Sequence, residues 1–416
     1  MFRLLKNQGI LFLGLSNTIS QLGDRLTHMV IITLIGMVSP GRISAFSEFS
    51  IAFSLPIVVL SPFAGVLIDR WNKQTIMFRC HLIQSFLIFL TPTFIVLTHS
   101  MVPIWILVVL FFSLDLFNNT SRNSVIPDLV AYRDLVPANS VIITLARVAT
   151  FFGMVGGGYL IGWVGWKLGF YIDAATHLIA GTFALGMGSR MLFEPVKKFD
   201  LSLHKELRKS LNQFGLDLKE LGILLIRDRM VIFVMLSVFI LPFVAAIAYT
   251  VLIYLVQQEF GLGSSGVGWF GGVIGSGMLV GGVLMGFLGK MINRGIIIII
   301  SIAVLAIFFL AGPFFVTPAF LYIIAFATGM IYSFVGIAQD TILQEDVLKG
   351  IRGRIFATKE LVLNLTFLLC AVLVGIISRG LKPFTIVWAI GGFLALVAVL
   401  AFFVYRSVPY EQRSKL

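Results

Sequence analysis

Gly65-Val66-Leu67-Ile68-Asp69-Arg70-Trp71-Asn72-Lys73 sets a charged turn between two segments too apolar for a water-soluble protein. Residues 46 to 68 run into it and residues 75 to 97 run out of it. A bilayer core of about 30 Å takes roughly 20 mostly apolar residues as one helix, and each flank has that length. The rest of the chain agrees: it is 58% apolar, 12% charged and has a mean hydropathy of +1.01. For most of its length the solvent is expected to be lipid.

Outward from the turn, about twelve such runs are found. They fall near 9 to 37, 46 to 68, 75 to 97, 102 to 122, 140 to 162 and 168 to 189, then 230 to 256, 267 to 289, 295 to 315, 318 to 340, 357 to 379 and 384 to 405. Each is continuously apolar, as a membrane helix is, whereas barrel strands alternate over about ten residues. The fold class expected is all-α, about twelve membrane helices in two six-helix bundles: residues 1–189, a cytoplasmic linker 190–229, and 230–416.

The basic residues orient the chain. With the N-terminus cytoplasmic, that side collects Arg3, Lys6, Arg70, Lys73, Arg79, Arg122, Lys290, Arg294, Arg352 and the basic linker, while the opposite side keeps Arg42, Lys167, Arg379 and Lys382. This is the positive-inside pattern. The net charge of +12 therefore reads as membrane topology and contact with the lipid bilayer, not nucleic acid. Both termini are expected in the cytoplasm of a multi-pass protein of the cell membrane, the inner membrane of a bacterium. The first apolar run is too long for a signal peptide and is interrupted by Asp24-Arg25, so it is expected to stay as a helix. Cys80 and Cys370 lie in separate spans and read as small apolar residues.

The linker is patterned. Leu203, Leu207, Leu211, Phe214, Leu218 and Leu221 recur at helical spacing with Lys205, Arg208, Lys209 and Lys219 between them, as in a basic amphipathic helix. It reads equally as a surface-lying helix or a solvated tether. The halves echo each other: Ser124 to Val130 has a counterpart in Thr341 to Val347, and Asp69 to Lys73 in Lys290 to Arg294. Two related six-helix halves are a transporter plan.

Gly65, Asp69, Arg70 and Lys73 carry a resemblance to the loop signature of the major facilitator superfamily, with Asn72 where a second glycine is usual. Asparagine tolerates left-handed backbone angles, so the departure is mild. Leu22-Gly23-Asp24, Ile126 to Val130 with Asp134-Leu135 and Ala138-Asn139, and Gly169-Phe170 with Asp173-Ala174 resemble the branch holding the enterobactin exporter and macrolide efflux proteins. Gly23-Asp24-Arg25 with His28 is also similar to the first helix of ferroportin, and a glycine-aspartate pair there is shared with lysophospholipid transporters.

The resemblance implies a secondary active transporter working by alternating access: a proton-coupled exporter of an amphipathic or hydrophobic small molecule of drug or siderophore type. The alternatives are divalent-metal export through Asp24 and His28, or movement of lysophospholipids. No cofactor is implied beyond a proton gradient, the partner is a small-molecule substrate, and the unit is expected to be a monomer. No nucleophile-base pair or closed metal-ligand set suggests an enzyme.

Ionisable residues inside spans are costly and therefore candidates for function. Asp24, Arg25 and His28 sit near the middle of the first span, Asp24 and His28 on one face. Three readings stand: a coupling carboxylate with a titratable imidazole, a metal pair, or an ion pair of Asp24 with Arg25 or Arg147. Asp115, Asn118, Asn119 and Arg122 form a polar stripe on the fourth span. The family arrangement points it at a cavity. Gly153, Gly156, Gly157 and Gly158 read as a packing surface. Arg147 needs a partner, for which Asp24 and Asp115 are the candidates. Asp173 and His177 repeat the four-residue spacing on the sixth span and are assigned to packing. In the second half Tyr249 and Asn364 are candidate polar liners, and the gating set is Gly65, Asp69, Arg70, Lys73, Asp128 and Asp340.

Overall fold

The computed structural model describes residues 7–69, 71–98, 100–131, 134–187, 212, 216, 229–288, 292–315, 317–346 and 352–408. Arg70, Lys290 and nearly all of the 190–229 linker lie outside the described residues, as do the side chains at 65 and 69.

Helix follows helix. α1 spans Gln8–Val38, α2 Ile43–Asp69, α3 Lys73–Thr98, α4 Val102–Leu129 and α5 Leu135–Leu185. After the linker come α6 (Arg229–Val238), α7 (Ile240–Ile247), two π-helical turns (Ala248–Leu252 and Leu255–Glu259), α8 (Gly263–Leu288) and α9 (Arg294–Ala311). α10 (Pro318–Asp346), α11 (Arg352–Ile377) and α12 (Pro383–Ser407) complete the chain.

Ten helical segments among the described residues are long and apolar enough to cross a membrane. The expectation of about twelve crossings differs for two physical reasons. The stretch Val141–Leu185 is continuous over 45 residues, about twice a bilayer core, and Gly165 breaks it with a φ of 76° that only glycine adopts freely. α1 has 31 residues, about 46 Å of helix, but Asn17, Gln21, Asp24 and Arg25 make it too polar to count among the ten.

Burial is inverted relative to a soluble protein. Phe86, Phe89, Val283, Ile323 and Phe403 are exposed, whereas Ser16, Gln74, Asp173 and Gln339 are fully buried. In water such an outer surface would aggregate; in lipid it is the solvated face.

Two compact units form. The first holds α1, α2 from Ala52 onward, α3, α4, α5 and the first turns of α8 (Gly263–Trp269). α1 packs chiefly on α5, and α3 on α4 and α5. Its best-buried apolar cluster includes Ile10, Leu13, Met77, Val125, Ile142 and Ala184. The second unit holds Gly41–Ile51, α6, α7, α8 from Phe270 onward and α9 to α12.

The echo between halves becomes structural at two helix starts. Asn72 accepts from Thr75 N at 3.0 Å and caps α3; Asn293 accepts from Gly295 N at 3.0 Å and caps α9. The asparagine that stands for a glycine in the loop signature is thus a helix cap, followed by a basic residue in both copies.

Glycine sets helix separation in the second unit. A Cβ at Gly277 would overlap the carbonyl oxygen of Phe326, one at Gly281 would lie 2.6 Å from that of Met330, and one at Gly329 would overlap that of Ile274. α8 and α10 therefore touch backbone to backbone, the small-residue contact of membrane helices. Gly277→Val is expected to lower stability by roughly 1–3 kcal/mol in an SDS unfolding titration. Gly282→Ala, which meets nothing within 4 Å, should stay within about 0.5 kcal/mol of wild type.

Candidate functional site

The first unit holds a buried polar network centred on His177, and α1, α3 and α5 each contribute to it. Nε2 of His177 lies 3.1 Å from Oδ1 of Asp24 and 3.6 Å from Oδ1 of Asp173. Its Nδ1 lies 3.1 Å from Nδ1 of His81. One of those two facing nitrogens must carry the proton, so the contact is a proton-sharing bond whichever tautomer holds it. The edge of the Phe111 ring closes on the His177 imidazole at 5.4 Å between centroids. Asp173 and His177 are 0% and 1% exposed, so water does not solvate these charges.

Gly23 makes the approach possible. A Cβ there would overlap Thr176 Oγ1 and Asp173 Oδ1, so only glycine lets α1 sit this close to the later part of α5. Thr176 Oγ1 also donates to Asp173 at 2.9 Å, fixing that carboxylate.

The other Asp24 oxygen accepts from Gln21 Nε2 at 2.9 Å. Gln21 in turn lines a cavity of about 400 Å³ between α1, α4 and the first part of α5. Arg25, Asp115, Asn119, Arg122 and Arg147 face it, with Ile126, Ile142 and Ile143 as its apolar wall. Asn119 Nδ2 donates to Asp115 Oδ2 at 2.9 Å, and Arg122 donates to Asn17 Oδ1 and to Asn123.

Several expected placements change. Asp24 is bonded to His177 and Gln21, not to His28, Arg25 or Arg147. His28 instead stacks near Phe53 and Phe112, both about 6 Å away between ring centroids. Arg147 forms no hydrogen bond or ion pair among the described residues and faces the cavity alone. Asp173 and His177, assigned to packing, are the partners of Asp24. Part of the signal was present in sequence: Asp24 on the first span and the Asp173-His177 pair on the sixth are intramembrane ionisable groups, and they meet in one contact that leaves His28 out. His81 carried no such signal, being a lone histidine in an apolar run.

The polar stripe of α4 divides. Asp115, Asn119 and Arg122 face the cavity, while Asn118 is buried beside it, 6% exposed, with its Oδ1 unpartnered. Of the α5 glycines two are tightly packed: a Cβ at Gly153 would lie 2.9 Å from Arg25 Cβ and one at Gly158 2.7 Å from Ser264 O, whereas Gly157 has room for one and Gly156 meets nothing within 4 Å.

Among the gating candidates, Lys73 Nζ pairs with Asp128 Oδ2 at 2.8 Å, joining α3 to α4. Asp340 pairs with Lys359, joining α10 to α11, with Lys359 only 5% exposed. In the second unit Tyr249 sits on the first π-helical turn against Phe367, and Asn364 donates to the backbone of its own helix at Glu360. Among the described residues no three histidine, cysteine, aspartate or glutamate side chains converge as a metal site.

The family model described as Major Facilitator Superfamily matches residues 13–358 and 234–416. A protein named "Putative bacilysin exporter BacE" of Bacillus amyloliquefaciens is 26% identical over 366 residues, covering 86% of this chain and 87% of its own. Among solved structures, the nucleoside transporter NupG aligns with a TM-score of 0.73 at 14% identity, covering 95% of this chain and 100% of its own. A bacterial homologue of ferroportin aligns with a TM-score of 0.71 at 14% identity, covering 96% and 99%. At that identity the structural likeness concerns the fold alone.

The network predicts a stability cost at its centre. His177→Ala leaves two carboxylates facing each other without their shared imidazole and should cost roughly 3 kcal/mol in micelle unfolding. The Arg79→Gln change, on an exposed position of α3, should be near neutral.

Proposed function

Since the chain belongs to the Major Facilitator Superfamily, and is a membrane transporter rather than an enzyme, we propose that it is a proton-coupled exporter of an amphipathic small molecule. One observation carries this reading. A buried carboxylate, Asp24, is bonded to His177 on one side and reached from a polar cavity through Gln21 on the other.

A proton arriving on Asp24 removes its charge and weakens its hold on His177. A charge-assisted bond is roughly twice as strong as a neutral one, so protonation changes the balance between arrangements of α1 and the end of α5. His81 extends the path by one more imidazole. Cargo bound at Gln21 and Arg25 acts on the same turn of α1 as the titrating group, which is what coupling requires: both ligands must bias one two-state element. Alternating access then moves cargo outward, as the name of the Bacillus relative suggests for that protein. The basic loops support cytoplasmic termini, and the protein is taken as a monomer in a bacterial inner membrane.

A lysophospholipid cargo is the second reading. It is favoured by an apolar crevice of about 510 Å³ in the second unit, where Leu236, Phe243, Leu373 and Phe393 leave room for an acyl chain. Divalent-metal export on Asp24 and His28 has no contact between the two behind it.

Proteoliposomes with an imposed pH gradient test the reading. Proton flux is read while amphipathic drugs and siderophores, divalent metals, and lysophospholipids are added in turn. Flux triggered by a drug or siderophore and abolished in Asp24→Asn is the expected result; unchanged flux in that variant sinks the coupling role. Lipid-triggered transport insensitive to the gradient would move the assignment to the second reading.

The Lys73–Asp128 pair is proposed as a latch that holds one state. Lys73→Gln and Asp128→Asn should each slow transport, and the double variant should be no slower than Lys73→Gln, which gives up the shared bond and the one from Nζ to the Ser124 carbonyl. Additive losses would show that the two residues act separately.

A further inference from the structure

The cavity of the first unit has more positive charge than its own residues neutralise. Arg25, Arg122 and Arg147 face it, and the carboxylate opposite them is Asp115. Asp115 is engaged by Asn119, and Asp24 lies behind Gln21, bonded to His177. Arg147 has no partner among the described residues, and the Nε of Arg25 is buried without one. A buried, unpartnered guanidinium N–H such as the Arg25 Nε is costly, and Arg147 beside it presents open donors to the same space, so both are expected to be spent on something that arrives.

A second observation points to the same occupant. Asn17, 4% exposed, uses its Oδ1 for Arg122 and leaves its Nδ2 buried and unpartnered at the cavity wall. That is a further donor without an acceptor. Three guanidiniums and an amide N–H surrounding a space of about 400 Å³ call for an acceptor-only, negatively charged group. Ile126, Ile142 and Ile143 line the remaining wall and suit an apolar body. The volume lies within the roughly 300–1,000 Å³ of small-molecule pockets.

We propose that this cavity binds the anionic head of an amphipathic cargo, a carboxylate or phosphate monoester held by Arg25 and Arg147 with Asn17, its apolar body against the isoleucine wall. The inference rests on the transporter reading and narrows its substrate class: a cationic amphiphile, a common drug chemistry, is disfavoured here by like charge.

Binding to the purified full chain in nanodiscs of zwitterionic lipid, with no pH gradient, tests it. The probes are 4-phenylbutyrate, 4-phenylbutyl phosphate, 4-phenylbutyramide and 4-phenylbutylamine, which share one apolar body and differ in head group. The expected result is saturable binding of the two anions only, weakened about tenfold or more in Arg147→Gln and in Arg25→Gln, and retained in Arg79→Gln. Arg147 is exposed and holds no other side chain, so its variant should elute as wild type does. Equal binding of the amine or amide, or anion binding indifferent to both arginine variants, would overturn the proposal. Displacement of bound phenylbutyrate when anionic phospholipid is added to the nanodisc would assign the head group to a lipid; indifference to that lipid would assign it to a soluble anion. The head-group preference is read here at equilibrium and coupling is read as flux under a gradient, so anion-selective binding lost in the arginine variants with no proton flux would sink the coupling role alone, and flux without anion-selective binding would sink this proposal alone.

Discussion

Inside a bilayer a charge has no water to turn to, and the structure of the first unit is organised around that constraint. His177 stands between Asp24 and Asp173 and also reaches His81, so four ionisable side chains from three helices answer one another. Desolvation of this order is offset by close pairing, although Oδ2 of Asp173 and Nε2 of His81 stay buried without a hydrogen-bond partner among the described residues. The contact of α1 with α5 is therefore fixed twice: by Gly23, which removes the atom that would hold the helices apart, and by the bond that forms once they are near. Neither works without the other, since a larger residue at 23 would separate the very groups whose pairing makes burial tolerable.

The same constraint distributes polarity between the units. The first carries the histidine network and the arginine-lined cavity. Among its described residues the second buries Gln339 against Ser237 at 3.0 Å and Lys359 against Asp340, and α8 packs its glycines against the backbone of α10. These are helix-joining bonds rather than a polar wall, and Asn364 bonds only within its own helix. The histidine network and the arginine-lined cavity thus lie in the first unit, while the two halves echo each other at their helix caps, Asn72 and Asn293.

Much of this was legible in the residues. Long apolar runs gave the helices because hydropathy at that length has one structural meaning in lipid, and intramembrane charge marked α1 and α4 because it is too costly to be accidental. What composition could not give was pairing. Spacing alone offers Asp24 its own-helix neighbours Arg25 and His28, or Arg147 on another span, since a sequence shows spacing along a helix but not which helix faces it. The network partner lies on the sixth span, where His177 takes Asp24 and leaves His28 among phenylalanines. Asn72 was read through backbone tolerance when its side chain was the operative part, a cap that needs only the three residues after it.

The division between a buried proton-sharing network and an adjoining cationic cavity also explains why Gln21 matters more than its lack of charge suggests. In the proposed coupling, a carboxylate that carries the proton must be shielded from cargo, or a bound cation would take the proton's place. It must also feel the cargo, or no coupling results. An amide meets both demands: it donates to Asp24 with one end while its residue forms part of the cavity wall, and it cannot itself gain or lose a proton. A charged residue at position 21 would join the two sites too tightly, and an alkyl one would sever them. In the proposed mechanism Gln21, Asp24 and Arg25 share one helical turn as relay, proton carrier and recognition group, on a helix too polar to count among the ten apolar segments.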